Sequence, residues 1–130
     1  MNKQEHINYW ITTAAKDEEV MTYLSDGKKY VQALFFGHLF LEKILKALWV
    51  KNNDSNIPPK THNLLKLLTE AKIILTEDFE LFLLKLNQYQ IEGRYPEDTE
   101  KLYSFTNKEL AEDYIKKITE IKICLLEKVH

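Results

Sequence analysis

Apolar residues recur every three or four positions along most of the chain, which is the spacing of amphipathic α-helices. The first series predicts a helix from about residue 5 to residue 24, and the Ser-Asp-Gly at 25–27 ends it. A second, more apolar series predicts a helix over residues 28–51, and because apolar residues cover most of its surface we expect this helix to be central in the fold. Paired prolines at 58 and 59 predict a loop over residues 52–60, because consecutive prolines do not continue a helix.

Shorter helical patterns occupy the middle of the chain. Thr61 or Asn63 can cap a short third helix that ends before Thr76. Two acidic residues follow Thr76 and predict a fourth helix that continues to about residue 89, since carboxylates stabilise helix N-termini. We expect His62 to cap or brace the third helix.

The last helix has the clearest predicted start. Thr106 and Glu109 have the spacing of a capping box, and Phe105 and Leu110 have that of a hydrophobic staple. Four long helices with short connections predict an all-α fold, an antiparallel up-and-down four-helix bundle with one additional short helix. The chain length predicts a single domain over residues 1–130.

The composition narrows the classes of partner. The formal net charge is -2 at pH 7, so no basic field favours nucleic acid, and we expect no nucleic-acid partner. Cys124 is the only cysteine, which leaves no internal disulfide and suits a reducing compartment. The polar N-terminal residues lack a signal-peptide pattern, and charges interrupt residues 30–50 too often for a membrane span. We therefore expect a cytoplasmic protein without membrane contact.

A row of polar residues crosses the otherwise apolar second helix. His38, Glu42 and Lys46 follow one another at four-residue intervals, and Lys43 shares their side of the helix. The simplest interpretation is a solvent-exposed pair between Glu42 and Lys46, worth about 0.2 to 0.5 kcal/mol. His38 and Glu42 also have the spacing of two metal ligands, but no further ligand motif accompanies them, so no metal site is predicted.

Three apolar residues interrupt this polar side of the second helix: Val31, Phe35 and Leu39. A mixed face of this kind is not typical of a helix that meets only water. It indicates a second contact, either with another subunit or with a ligand that has apolar and charged parts. Gly37 points to the opposite side, where the missing side chain allows a neighbouring helix to approach closely.

The other dense polar stretch, residues 89–100, contains Arg94, the only arginine in the chain. Its guanidinium is a rigid fork of hydrogen-bond donors that suits phosphate or carboxylate. The alternative role is structural, because the same donors can bind a helix C-terminus or the carboxylates of Glu92, Glu97 or Asp98. Spacing alone leaves both interpretations open.

Four short motifs span nearly the whole chain: Trp10 with Ala14, Ala15 and Asp17, then HLFLEKILKAL from His38, THNLLKLL from Thr61, and the RYP of residues 94–96. Their order and spacing resemble those of the HEPN family of small helical domains. The resemblance implies a bundle of about five helices that is commonly dimeric. It also implies a frequent companion, a minimal nucleotidyltransferase encoded beside the domain or fused to it.

The HEPN family divides into functional branches, and the residues after Arg94 indicate which branch this sequence resembles. One branch resembles metal-independent ribonucleases of toxin–antitoxin and defence systems, in which four to six residues separate an Arg from a His. Counted from Arg94, those positions hold Thr99, Glu100 and Lys101. These residues poorly replace a histidine in the proton transfers of RNA cleavage. The sequence therefore predicts the non-ribonuclease branch, with no catalytic residue and no cofactor.

The resemblance thus implies a homodimeric HEPN module that binds a nucleotide or partners a nucleotidyltransferase. Lys46 and Arg94 are expected to contact phosphate, His38 and Glu42 to hydrogen-bond base or sugar, and Tyr95 to stack on a base. The predicted nucleotide-binding residues are His38, Glu42, Lys43, Lys46, Arg94 and Tyr95, and the predicted dimer interface is Val31, Phe35 and Leu39. Two alternatives stay open: a purely structural protein–protein interaction module, and a divergent metal-independent ribonuclease of the toxin–antitoxin or defence type.

Overall fold

The computed structural model describes all 130 residues and contains helices without any strand. The all-α fold predicted from the sequence is confirmed. None of the helices is both long and apolar enough to cross a lipid bilayer. The six α-helices are α1 (Lys3–Asp26), α2 (Tyr30–Asn52), α3 (Leu64–Glu70), α4 (Glu77–Leu86), α5 (Pro96–Phe105) and α6 (Lys108–Val129), and a 3-10 turn (Asn87–Tyr89) continues α4.

Helices α1 and α2 form an antiparallel hairpin that organises the bundle. Asn2 and Glu5 make a reciprocal capping box at the start of α1, with hydrogen bonds of 2.8 and 3.2 Å. The hairpin turn includes Lys28, whose φ of 63° reverses the chain direction between the helices. Helix α2 then packs against α1, α3, α6 and the 3-10 turn, so most of its residues are buried. The sequence predicted this central position.

Gly37 allows three helices to meet at one point. A Cβ atom there would lie 2.7 Å from Ile118 Cδ1 on α6 and 3.0 Å from Met21 Sδ on α1. Both distances are shorter than ordinary van der Waals contact, and both neighbours are buried. The close approach predicted at Gly37 is therefore confirmed.

The start of the last helix differs from the prediction. Asn107 is the N-cap of α6, and its side chain accepts a hydrogen bond from the backbone N–H of Leu110 at 2.9 Å. Thr106 instead follows the end of α5, and its hydroxyl lies 2.6 Å from the hydroxyl of Tyr89. The predicted capping box is wrong because an additional helix ends immediately before this point.

That additional helix, α5, was not predicted. Pro96 at the first helical position, with Glu97 and Asp98 in the first turn, favours a helix start there. Only Leu102 of this helix is buried, so the sequence carries no apolar stripe that would predict it. The side chain of Gln32 donates a hydrogen bond to Tyr103, which ties α5 to the first turns of α2. The bundle consequently has three long and three short helices.

Both short helices before α5 begin as the sequence indicates. Of the two caps considered for α3, Asn63 is the one used, and its side chain accepts from the backbone N–H groups of Leu65 and Lys66. Thr76 caps α4 by accepting from the backbone N–H of Phe79 at 3.3 Å. These caps fix where α3 begins beside α2 and where α4 begins beside α3.

Candidate functional site

The carboxylate of Glu42 is the centre of a polar cluster inside the bundle. Glu42 is only 3% exposed, yet both of its oxygens have partners. Oε2 accepts a hydrogen bond from the ammonium of Lys46 at 3.0 Å, and Oε1 accepts from Nδ1 of His62 at 2.8 Å. A buried charge is tolerated only with such partners, because leaving water is costly. We call Glu42, Lys46, His38, His62 and Asn87 the Glu42 cluster.

Lys46 is buried with Glu42. It is 9% exposed, and its ammonium lies 5.3 Å from the centre of the Trp10 ring on α1, a cation–π arrangement. The pair expected between Glu42 and Lys46 therefore forms, but the expectation that it faces solvent is wrong. Helix α1 and the loop before α3 cover this face of α2.

His38 is completely buried and bonded to Asn87. Its Nε2 lies 3.3 Å from Asn87 Oδ1, which also accepts the backbone N–H of Leu64 at 3.1 Å. Because Oδ1 is the acceptor, Nε2 carries the proton. Nδ1 makes no hydrogen bond of ordinary geometry and lies 3.8 Å from Glu42 Oε1.

Burial lowers the pKa of His38 below its usual value of 6.5, because the charged imidazole would lose its hydration. The carboxylate of Glu42, the side chain of Asn87 and the backbone of His62 act in the opposite direction but more weakly. His38 is therefore neutral at neutral pH. It contributes a hydrogen-bond donor to the cluster and no charge.

The guanidinium of Arg94 is held by hydrogen bonds to two backbone carbonyl oxygens. Its Nε donates to the oxygen of Gln90 at 2.8 Å, and its Nη2 donates to the oxygen of Asn87 at 3.1 Å. These carbonyls lie in and just after the 3-10 turn, so the structural interpretation of Arg94 at a helix C-terminus is correct. Nη1 makes no hydrogen bond within the chain. The next residue, Tyr95, is 76% exposed.

Lys43 belongs to a different contact. Its ammonium lies 2.7 Å from Asp17 Oδ2, so this ion pair joins α2 to α1 beside the Glu42 cluster. Among the residues predicted to bind a nucleotide, Lys43 and Lys46 thus both have partners inside the chain. Only Arg94 and Tyr95 present much of their side chains to solvent.

The predicted dimer interface is divided between core and surface. Val31 is 3% exposed and packs in the hydrophobic core, so it offers no area to a second subunit. This part of the prediction is wrong, since residue 31 faces the core once α2 is placed in the bundle. Phe35 and Leu39 are half-buried and remain available on the surface of α2.

Comparison with known proteins places the chain in a family. The family model of the HEPN domain matches residues 7–128. This chain belongs to the HEPN family. No curated protein matches it. The chain is also similar to a solved structure, the crystal structure of TT1696 from Thermus thermophilus, with 20% identity and a TM-score of 0.76; the match covers 94% of this chain and 97% of that chain. At this identity the similarity supports the fold alone.

The motifs that resemble the HEPN family meet at one place in this domain. His38 and Glu42 come from the motif on α2, and His62 comes from the motif before α3. Asn87 contacts His38 through its side chain and Arg94, of the RYP motif, through its backbone. Three separate stretches of the HEPN domain are therefore joined through Asn87 and Glu42.

Sequence reasoning missed part of this arrangement. His62 was expected only to cap or brace α3, whereas it binds Glu42 and leaves its own side chain 54% exposed. Asn87 and Trp10 were not proposed as parts of a polar site. The position of His62 in the TH motif was the one signal for it, and Asn87 had none. No three His, Cys, Asp or Glu side chains are arranged to hold a metal ion.

The buried, neutral His38 predicts a defined pH dependence of stability. Folding lowers its pKa, so below about pH 6.5 the imidazole of His38 binds a proton more readily in the unfolded chain than in the folded chain. We expect the free energy of unfolding to fall as the pH drops from about 7 to about 5, and to fall less steeply in His38→Gln. Urea unfolding at a series of pH values measures both slopes. Equal slopes in the two proteins would contradict a lowered pKa of His38 in the folded state.

Proposed function

We propose that this HEPN protein is a homodimeric module that binds the phosphate of a nucleotide, either free or carried by a nucleotidyltransferase partner. One observation carries the proposal: Arg94, the only arginine, is anchored by two carbonyls and still has an unpaired Nη1, and the next residue in the chain, Tyr95, is exposed. A guanidinium held in this way needs little further ordering to receive an anion.

The geometry of Arg94 favours phosphate recognition. The group has five N–H donors in one plane, and the two hydrogen bonds to Gln90 and Asn87 use one at Nε and one at Nη2. The remaining donors form a fork that matches two oxygens of a phosphate. Tyr95 offers an aromatic face on which a base can stack.

The buried residues of the Glu42 cluster support this surface without contacting the ligand. The charges of Glu42 and Lys46 neutralise each other inside the bundle, and His38 is fully enclosed. His62 is different, because only Nδ1 is used by Glu42 and the side chain is half-exposed. We therefore include His62 with Arg94 and Tyr95 as the groups that meet the nucleotide.

The homodimer is proposed from the surface of α2. Phe35 and Leu39 lie one helical turn apart, and both remain partly exposed after the bundle has formed. The rings of Phe35 and Phe36 pack edge to face with centroids 5.4 Å apart, which fixes the orientation of Phe35. A second copy of α2 placed against this stripe would bury apolar area that a monomer leaves in water.

Nucleotide binding is tested by thermal unfolding with nucleoside mono-, di- and triphosphates. A ligand that binds only the folded state adds about 1.4 kcal/mol of stability at ten times its Kd, which raises the Tm by several degrees. We expect this rise in the wild type, a smaller rise in Arg94→Lys and none in Arg94→Ala. Lys108→Ala removes an exposed charge on α6 and should behave as the wild type. An equal rise in Arg94→Ala would contradict the site.

The homodimer is tested by sedimentation velocity over a range of concentrations. Phe35→Asp places a charge in the proposed interface and is expected to give a monomer at concentrations where the wild type is dimeric. Ile74→Asp makes the same kind of change at a residue that is 87% exposed elsewhere, and should leave the dimer intact. A monomeric wild type, or a dimer that tolerates Phe35→Asp, would contradict this interface.

A further inference from the structure

The side chain of Asn87 connects three parts of the bundle. Its Oδ1 accepts from the backbone N–H of Leu64 at 3.1 Å and lies 3.3 Å from Nε2 of His38. Its Nδ2 donates to Oδ1 of Asn63 at 3.2 Å. One amide group thereby joins the 3-10 turn to α2 and to the N-terminus of α3.

The orientation of this amide is determined by its neighbours. The backbone N–H of Leu64 can only donate, so the oxygen of Asn87 must face it and the nitrogen must face Asn63. Oδ1 of Asn63 is equally constrained, because it also accepts the backbone N–H groups of Leu65 and Lys66 as the cap of α3. Exchanging oxygen and nitrogen in either amide would place two hydrogen-bond donors, or two acceptors, opposite each other.

The same residue reaches the proposed ligand surface through its backbone. The carbonyl oxygen of Asn87 accepts from Nη2 of Arg94, and Asn63 directly follows His62 in the chain. A rotation of the 3-10 turn would displace the carbonyl that holds Arg94. A separation of Asn87 from Asn63 would displace the loop that carries His62.

We propose that Asn87 is a positioning residue, which sets the orientation of the Arg94 guanidinium toward a bound phosphate by locking the 3-10 turn to Asn63 and His38. The inference rests on the proposed function for its ligand, but the Asn87–Arg94 connection exists in the free protein. Asn87 itself touches no ligand. It acts through the backbone carbonyl that Arg94 binds.

Two variants with the same change in charge separate this role from a general effect. Asn87→Asp keeps the oxygen that faces Leu64 but replaces the donor to Asn63 with a second oxygen, so two acceptors oppose each other. Asn63→Asp keeps every hydrogen bond of that residue, since its oxygen only accepts. Both variants add one negative charge within the same pair of side chains. Only Asn87→Asp removes the hydrogen bond between Asn87 and Asn63.

The experiment uses the single arginine of the chain as a probe. With one arginine, the side-chain signals of Arg94 are assignable in a ¹⁵N–¹H correlation spectrum: the Nε–H, which donates to Gln90 just after the 3-10 turn, and the Nη2–H, which donates to Asn87. In Asn63→Asp we expect these signals to keep the chemical shifts and the protection from hydrogen exchange that they have in the wild type. In Asn87→Asp we expect the chemical shifts to change and the protection to be lost. The affinity for a nucleoside triphosphate, measured by calorimetry, is expected to fall about tenfold more in Asn87→Asp than in Asn63→Asp, as for one lost hydrogen bond to a charged group.

Failure of this inference is distinct from failure of the proposed function. An Arg94 signal that is the same in both variants would overturn the positioning role, whether or not nucleotides bind. A lost signal in Asn87→Asp, together with a wild type that binds no nucleotide, would uphold the connection and reject the ligand. If circular dichroism shows that Asn87→Asp is unfolded, Asn87→Ser removes the amide without adding a charge, and the same Arg94 signal decides.

Discussion

The burial of one carboxylate, that of Glu42, is the constraint on which the rest of this domain depends. Helix α2 lies at the centre of the bundle, so a charged side chain on its covered side must receive donors from within the protein. Lys46 supplies one donor from the next turn of the same helix, and His62 supplies another from the segment before α3. The hydrogen bond from His62 therefore holds the segment before α3 against the buried carboxylate on α2.

The same constraint produces the exposed surface. Once His62 is bound to Glu42, the adjacent Asn63 caps α3 and meets Asn87, whose backbone oxygen receives Arg94. A continuous set of contacts therefore leads from a buried ion pair to an exposed guanidinium. The proposed role of Arg94 agrees with the general expectation that ligand-facing groups work best when supporting residues restrict their motion.

The sequence predicted those features that depend on local patterns: the all-α fold, the central α2, the close packing at Gly37 and the caps of α3 and α4. Helical spacing alone does not tell whether a polar row faces water or another segment, so Glu42 and Lys46 were expected at the surface. The donors that decide this are distant in sequence: His62 is 20 positions from Glu42, and Asn87 is 49 positions from His38. Helix α5 was missed because Leu102 is its only buried residue.

The most direct measurement of the central claim is a pair of matched double-mutant cycles read by urea unfolding. Glu42→Leu should cost about 3–5 kcal/mol because it leaves Lys46 buried without its partner, and Glu42→Leu with Lys46→Met should recover most of that loss. The comparison is the exposed pair of Lys108 and Glu112, which has the same four-residue spacing on α6 and should contribute only a small fraction of that energy. A Glu42→Leu variant no less stable than Glu112→Leu would contradict the claim that the buried carboxylate organises this domain.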